Sequence, residues 1–146
     1  MHVAGVDARF DIKLEAGSKG QILLDGVPYQ RCADVDGLRL SGAWTSYANP
    51  DDASLDRQPV GVRPVFRFSK DGRFTDEGVF ASFMRSGNPA ADRAGSGSYG
   101  IKDFTLTLRF DDGRVKTLGF TGFMGLDPAA DNKILYIERN PFNKRK

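Results

Sequence analysis

The chain is poor in the residues from which most catalytic and metal sites are built. Its 146 residues include one histidine, His2, and one cysteine, Cys32. A single histidine beside the N-terminus leaves Ser–His and Cys–His catalysis without a base. One cysteine excludes an intrachain disulfide, and with no His or Cys near it in sequence Cys32 reads as buried and inert rather than reactive. Transition-metal sites need several His, Cys or carboxylate ligands at set spacings, and no such spacing occurs. No apolar run approaches the roughly 18 residues of a membrane-spanning helix. No basic stretch followed by an apolar segment opens the sequence, so no signal peptide is visible and the compartment stays open. Charge of one sign is also lacking: 21 Lys and Arg stand against 19 Asp and Glu, a net +2. That balance is too even for a field-driven nucleic-acid binder. The one local excess, Asn143-Lys-Arg-Lys146, reads as a solvated terminus.

Aromatics and glycine are present in quantity: eleven Phe, four Tyr, one Trp and seventeen Gly. With scattered turn dipeptides, this is the composition of an all-β domain. Phe104, Leu106, Leu108 and Phe110 alternate with Thr105, Thr107 and Arg109, which predicts a strand with one buried and one wet face. Asp112-Gly113 then turns the chain back, a hairpin signal. A second Asp-Gly, at Lys70-Asp-Gly72, is expected to join a strand over Val62–Phe68 to one over Gly72–Phe83. Pro64 demotes its own position to an edge or a bulge. Further strands are expected over Arg9–Leu14, Gln21–Leu24, Leu38–Tyr47 and Lys133–Glu138. The connections Ala48–Gly61, Ser86–Ser98 and Gly122–Asn132 are long and polar, and long loops of this kind carry function or mobility.

The acidic and glycine-rich segments have plain readings. Asp51, Asp52 and Asp56 could hold a hard cation through oxygen but lack the spacing of a calcium loop, so a solvated acidic loop is the simpler reading. Asp76 and Glu77 are adjacent on a strand and point to opposite faces, which defeats paired acid–base work. Asp111 and Asp112 belong to a turn. Gly95-Ser-Gly97 precedes a strand and not a helix, so it has no helix N-terminus with which to cradle phosphate. Arg and Phe alternate in Phe66-Arg67-Phe68 and Arg109-Phe110. That puts rings and cations on opposite faces, a core face backed by solvent rather than a base-stacking platform. No enzyme and no cofactor is expected.

One internal echo stands out. Ile22-Leu-Leu-Asp-Gly-Val-Pro-Tyr-Gln-Arg31 resembles Ile134-Leu-Tyr-Ile-Glu-Arg-Asn-Pro-Phe-Asn-Lys-Arg145. Residues 1–33 would then be the closing strands of an upstream module, or a strand-and-turn piece equivalent to the second within one barrel, or a chance match. The expected division is 1–33 and a barrel over 34–146.

Gly42-Ala43-Trp44, the Phe66-to-Phe83 hairpin and Gly97-Ser-Tyr-Gly-Ile leading into Thr-Leu-Thr-Leu resemble the bacterial lipocalin-like barrels of the calycin group. The resemblance covers roughly residues 38–146 and implies an antiparallel up-and-down β-barrel of about eight strands with long polar loops. It also implies that Trp44 packs across the closed end with an Arg stacked on it, for which Arg139 is the candidate. Gly42 is the small residue where backbones approach. After Leu40 the strand count looks nearer six than eight, so closure is expected to need residues 9–24 or a partner chain, as in a strand-swapped dimer. A small apolar ligand enclosed by Phe66, Phe68, Phe80, Tyr99, Leu106 and Leu108 is the functional expectation. The alternative is a barrel filled by its own side chains, serving as a structural or protein-interaction module of a larger protein.

Overall fold

The computed structural model describes residues 13–17, 21–30, 32–46, 63–123 and 126–146. Most of the strand expected over Arg9–Leu14, and the Asp51, Asp52 and Asp56 loop, lie outside these residues. The chain divides into two compact units between Arg31 and Cys32.

The first unit is an antiparallel sheet of three strands in sequence order: β1 (Leu14–Ala16), β2 (Gln21–Leu24) and β3 (Val27–Gln30). Asp25 and Gly26, at φ 49° and 81°, form the two-residue turn between β2 and β3. Both central residues of such a turn must be left-handed to match the strand twist, which Asp-Gly tolerates well.

The second unit is a closed eight-stranded antiparallel up-and-down barrel. Its strands are β4 (Gly42–Ser46), β5 (Val65–Phe68), β6 (Arg73–Asp76), β7 (Gly95–Lys102), β8 (Thr105–Phe110), β9 (Val115–Gly122), β10 (Ile134–Ile137) and β11 (Asn140–Lys144). Each strand pairs with the next, and β11 returns to β4 with Phe142 opposite Ser46 and Lys144 opposite Trp44. Two one-turn helices, α1 (Val79–Ser82) and α2 (Pro89–Asp92), lie between β6 and β7.

Four sequence expectations change. All eight barrel strands fall after Leu40, so closure needs neither residues 9–24 nor a partner chain. Two strands had gone uncounted: the run up to Phe110 is two strands, β7 and β8, split by the turn at Asp103-Phe104, and Lys133–Glu138 is followed by a two-residue turn and β11, which takes in Asn143 and Lys144 of the tail that looks solvated. Phe142, on β11 just before that tail, is fully buried. Phe104 leaves the alternating series because Asp103 and Phe104 are themselves a two-residue turn, at φ 49° and 55°, and its ring is 43% exposed. The strand after Gly72 stops at Asp76, where Gly78 adopts φ 97° and the chain enters α1. Phe80 is therefore buried from a helical turn rather than from a strand.

The close strand pairing has a sequence cause at Gly97. A side chain there would overlap the backbone carbonyl of Arg109 on the neighbouring strand β8. Glycine lets the two backbones approach closely at this rung of β7 and β8.

Barrel closure through Phe142 has a measurable consequence. Phe142→Ala removes a fully buried ring that meets Phe66 at 5.5 Å and Phe83 at 6.3 Å. The expected loss is about 3–5 kcal/mol of unfolding free energy. Urea melts followed by far-ultraviolet circular dichroism check it, and a loss under about 1 kcal/mol would mean that β11 does not carry the closure.

Candidate functional site

The six residues expected to wall a ligand cavity are all buried in one apolar cluster, five from barrel strands and Phe80 from α1. Phe66, Leu106 and Leu108 are fully buried, and Phe68, Phe80 and Tyr99 nearly so, within a single apolar cluster. Phe66 meets Phe68 at 5.9 Å and Phe80 at 5.4 Å between ring centroids. Phe68 meets Tyr99 edge-on at 5.0 Å and Trp44 edge-on at 5.9 Å. Tilted and edge-to-face pairs at these separations are favourable ring packing, beyond the area they bury. Phe74 and Phe110 add a further edge-on pair at 5.0 Å.

The Tyr99 hydroxyl is fully engaged. It accepts from the Leu40 amide at 2.8 Å and lies 3.1 Å from the Ser69 carbonyl oxygen, to which it donates. Burial raises its pKa, so it serves here as a neutral donor and acceptor. It ties the segment before β4 to the β5–β6 turn, and closes that end of the barrel together with buried Val35 and Leu40.

Trp44 is fully buried, and its indole Nε1–H donates to the Asn132 carbonyl at 2.8 Å. The cation over its ring is Lys144, with Nζ 4.9 Å from the centroid, and that ammonium also donates to Asn132 Oδ1 at 3.0 Å. Arg139, the sequence candidate for this place, is instead the second residue of the β10–β11 turn, at φ 67° and exposed. Lys144 stands directly opposite Trp44 in the ladder, which explains why it and not the turn residue reaches the indole. Gly42, at φ 141°, lies where a side chain would collide with the Lys144 stem.

The other end is closed by the two helical turns and a set of charges that sequence reasoning missed. Asp76 Oδ1 accepts from the amides of Gly78 at 2.9 Å and Val79 at 2.6 Å, capping the start of α1. Its Oδ2 is buried without a hydrogen-bond partner. Burial pushes this carboxyl up, partly offset by the amides it accepts from. Lys116 crosses the face of Phe80 at 4.2 Å and donates to Asp92 Oδ1 at 2.9 Å. Asp92 is itself buried and also accepts from the Ser86 amide at 2.6 Å. The hydrogen bond from Lys116, joined by that from Ser86, holds the Asp92 pKa down at about 2. Arg114 lies 4.0 Å over the Phe110 ring and donates to the carbonyls of Ala91 at 3.0 Å and Arg93 at 2.7 Å. Arg114 and Lys116 thereby fasten α2 to β9.

A signal for two of these residues did exist. Lys116 shares its face of β9 with Leu118 and Phe120, and Asp76 shares its face of β6 with Phe74, so period-2 alternation assigns both to the inside. Glu77 faces outward and pairs with Arg67, so the two adjacent carboxylates do diverge. Outside the barrel, an open cleft of about 520 Å³ is lined by Cys32, Phe104, Tyr136 and Arg139 among others. Among the described residues no helix is long and apolar enough to cross a membrane.

No protein-family model matches the chain, and no curated protein or solved structure is significantly similar to it.

Two pH dependences follow from the closed end. A buried carboxyl with a raised folded pKa favours the fold at low pH, and that contribution is lost as pH rises through the folded value. Urea melts of the wild type and Asp76→Asn at pH 4 and pH 7 should therefore show the wild type losing ground to the variant at the higher pH. Asp76→Ala, which loses the cap as well, should cost about 1–2 kcal/mol at either pH. Equal wild-type and Asn slopes would place the carboxylate in water. Asp92 has the opposite sign: its contribution is present above the ordinary carboxylate range and lost as pH falls toward about 2. Carboxyl-carbon NMR should show the Asp92 midpoint rising in Lys116→Met, and an unmoved midpoint would remove Lys116 as its cause.

Proposed function

We propose that this barrel is non-catalytic, that its interior is filled by its own side chains, and that it serves as a structural or protein-interaction module of a larger protein. The observation that carries the reading is the mutual contact of the rings once expected to wall a cavity. Phe66 alone meets three other rings at 5.4–5.9 Å. An enclosed ligand would have to displace side chains that already satisfy one another. Both barrel ends add support: Tyr99 spends its hydroxyl on backbone groups at one, and the Asp92–Lys116 pair spends its charge at the other. For the finer type, Gly42-Ala43-Trp44 at the start of the first barrel strand favours a lipocalin-like barrel of bacterial kind. On this reading the work is done by the outside, where Phe104, Phe123 and Leu126 are 39–43% exposed.

The carrier of a small apolar ligand is the reading to test against. Native mass spectrometry of gently purified protein should return the bare chain mass, the same as under denaturing conditions. A discrete additional mass of drug-like size, lost on denaturation, would overturn the filled barrel and identify the cargo.

A further inference from the structure

The three strands of the first unit repeat, position for position, the last three strands of the barrel. Both hairpins turn on two left-handed residues: Asp25-Gly26 at φ 49° and 81°, and Glu138-Arg139 at φ 49° and 67°. Counting outward from each turn, Leu24 pairs Val27 as Ile137 pairs Asn140, and Leu23 pairs Pro28 as Tyr136 pairs Pro141. Next, Ile22 pairs Tyr29 as Leu135 pairs Phe142. The third strand keeps the register: Leu24 pairs Leu14 as Ile137 pairs Phe120, and Ile22 pairs Ala16 as Leu135 pairs Gly122. The proline falls at the same rung in both, so the internal echo in the sequence is the trace of one shared hairpin geometry.

Burial separates the two copies of the pattern. In the barrel, Phe120, Leu135 and Phe142 point inward and are at most 1% exposed. Their counterparts Leu14, Ile22 and Tyr29 are 66%, 44% and 50% exposed and share one face of the sheet. An apolar face of this extent on so small a sheet costs solvation unless something covers it. The alternation dictates which face must be covered, and it is the one that faces the core in the barrel.

We infer that Leu14–Gln30 is the closing meander of a barrel of this same type, and that its apolar face is a docking surface for five antiparallel strands built like Gly42–Phe110. In the barrel, β9–β11 are flanked by β8 on one side and β4 on the other. Among the described residues no strand pairs with the outer edges of β1 and β3, and by the same register these edges would pair with the last and first strands of such a five-stranded segment. The occupant is not a second intact copy of this chain, because the five strands of each copy are already closed by their own β9–β11. It is a five-stranded segment that lacks a closing meander, so the chain contributes one complete barrel and the last three strands of another. This inference extends the reading of the barrel as a module of an assembly and rests on that reading. The experiment below reports on the meander and native mass reports on the barrel interior, so either can fail alone.

Hydrogen exchange on the full chain, and on the full chain preceded by a second copy of residues 32–114, tests the inference. In the full chain the amides of Ile22–Tyr29 should exchange readily. In the extended chain they should slow by at least about 100-fold, as strands inside a closed barrel do. Ile22→Asp combined with Tyr29→Asp should abolish that protection in the extended chain while leaving the exchange of β4–β11 unchanged. The inference fails if exchange over Ile22–Tyr29 is the same in both chains, or if the double substitution leaves the protection intact. It fails equally if the full chain alone already protects this segment at a dimeric mass, since a second copy would then cover the face.

Discussion

The pairing of β11 with β4 is the constraint on which the barrel depends. A sheet of eight strands with open ends would expose two edges and half of an apolar face. The rungs that join Ser46 to Phe142 and Trp44 to Lys144 remove both edges at once. They also deliver Phe142 to Phe66 and Phe83, and set Lys144 over the only indole in the chain. The aromatic packing is thus a product of closure as much as a cause of it. Rings from β4, β5, β7, α1 and β11 meet in one cluster only because the first and last barrel strands are neighbours.

Charge is used at one end of this interior in a way that apolar burial alone would not require. Asp92 and Lys116 are removed from most solvent, and a buried pair repays its desolvation only with good geometry and further hydrogen bonds. Here the carboxylate has a second donor in the Ser86 amide, and the ammonium has the face of Phe80. The pair locates α2, which shows no sustained helical pattern in sequence and is one turn long. Asp76 does the corresponding work for α1 with backbone amides alone, and leaves one oxygen without a partner. The two short helices are therefore held by specific polar contacts, whereas the strands are held by the ladder and the core.

The strand content was legible in the sequence because alternation over β8 is clean and Asp-Gly turns mark hairpins, and the barrel class followed from the resemblance carried by Gly42-Ala43-Trp44 and its neighbours. The Asp-Gly turns at Asp71-Gly72 and Asp112-Gly113 were legible for the same chemical reason: glycine takes the left-handed position without strain, at φ 86° and 89°. The turns that escaped notice are Asp103-Phe104 and Glu138-Arg139, where non-glycine residues take that position and carry no compositional mark. Missing the first merged β7 with β8, missing the second hid β11 and the partner of Trp44, and the two together account for the short strand count. Placing Arg139 against Trp44 followed from resemblance and not from register, and the ladder put Lys144 there instead. Of the six residues named as cavity walls, Phe66, Phe68, Tyr99, Leu106 and Leu108 are buried from strands and Phe80 from a helical turn. Whether an inside is hollow depends on summed side-chain volumes across strands distant in sequence, and no local pattern encodes that. The charges at the closed end were legible only in part, since alternation places Lys116 and Asp76 inward but says nothing of their partners.

Every strand of the barrel pairs with the next along the chain, through short turns after β5, β7, β8 and β10 and through longer connections after β4, β6 and β9; one further pairing is not sequential. The exception, β4 with β11, brings together residues from opposite ends of the unit, and its entropic cost falls due before any of its contacts form. A pairing of this separation raises the mean sequence distance between contacting residues, and folding slows as that distance grows. During synthesis the seven preceding strands would emerge as a growing meander with an uncovered apolar face, able to collapse but not to close. The barrel is accordingly complete only when β11 is in place, and until then it has an open seam that no local turn can close.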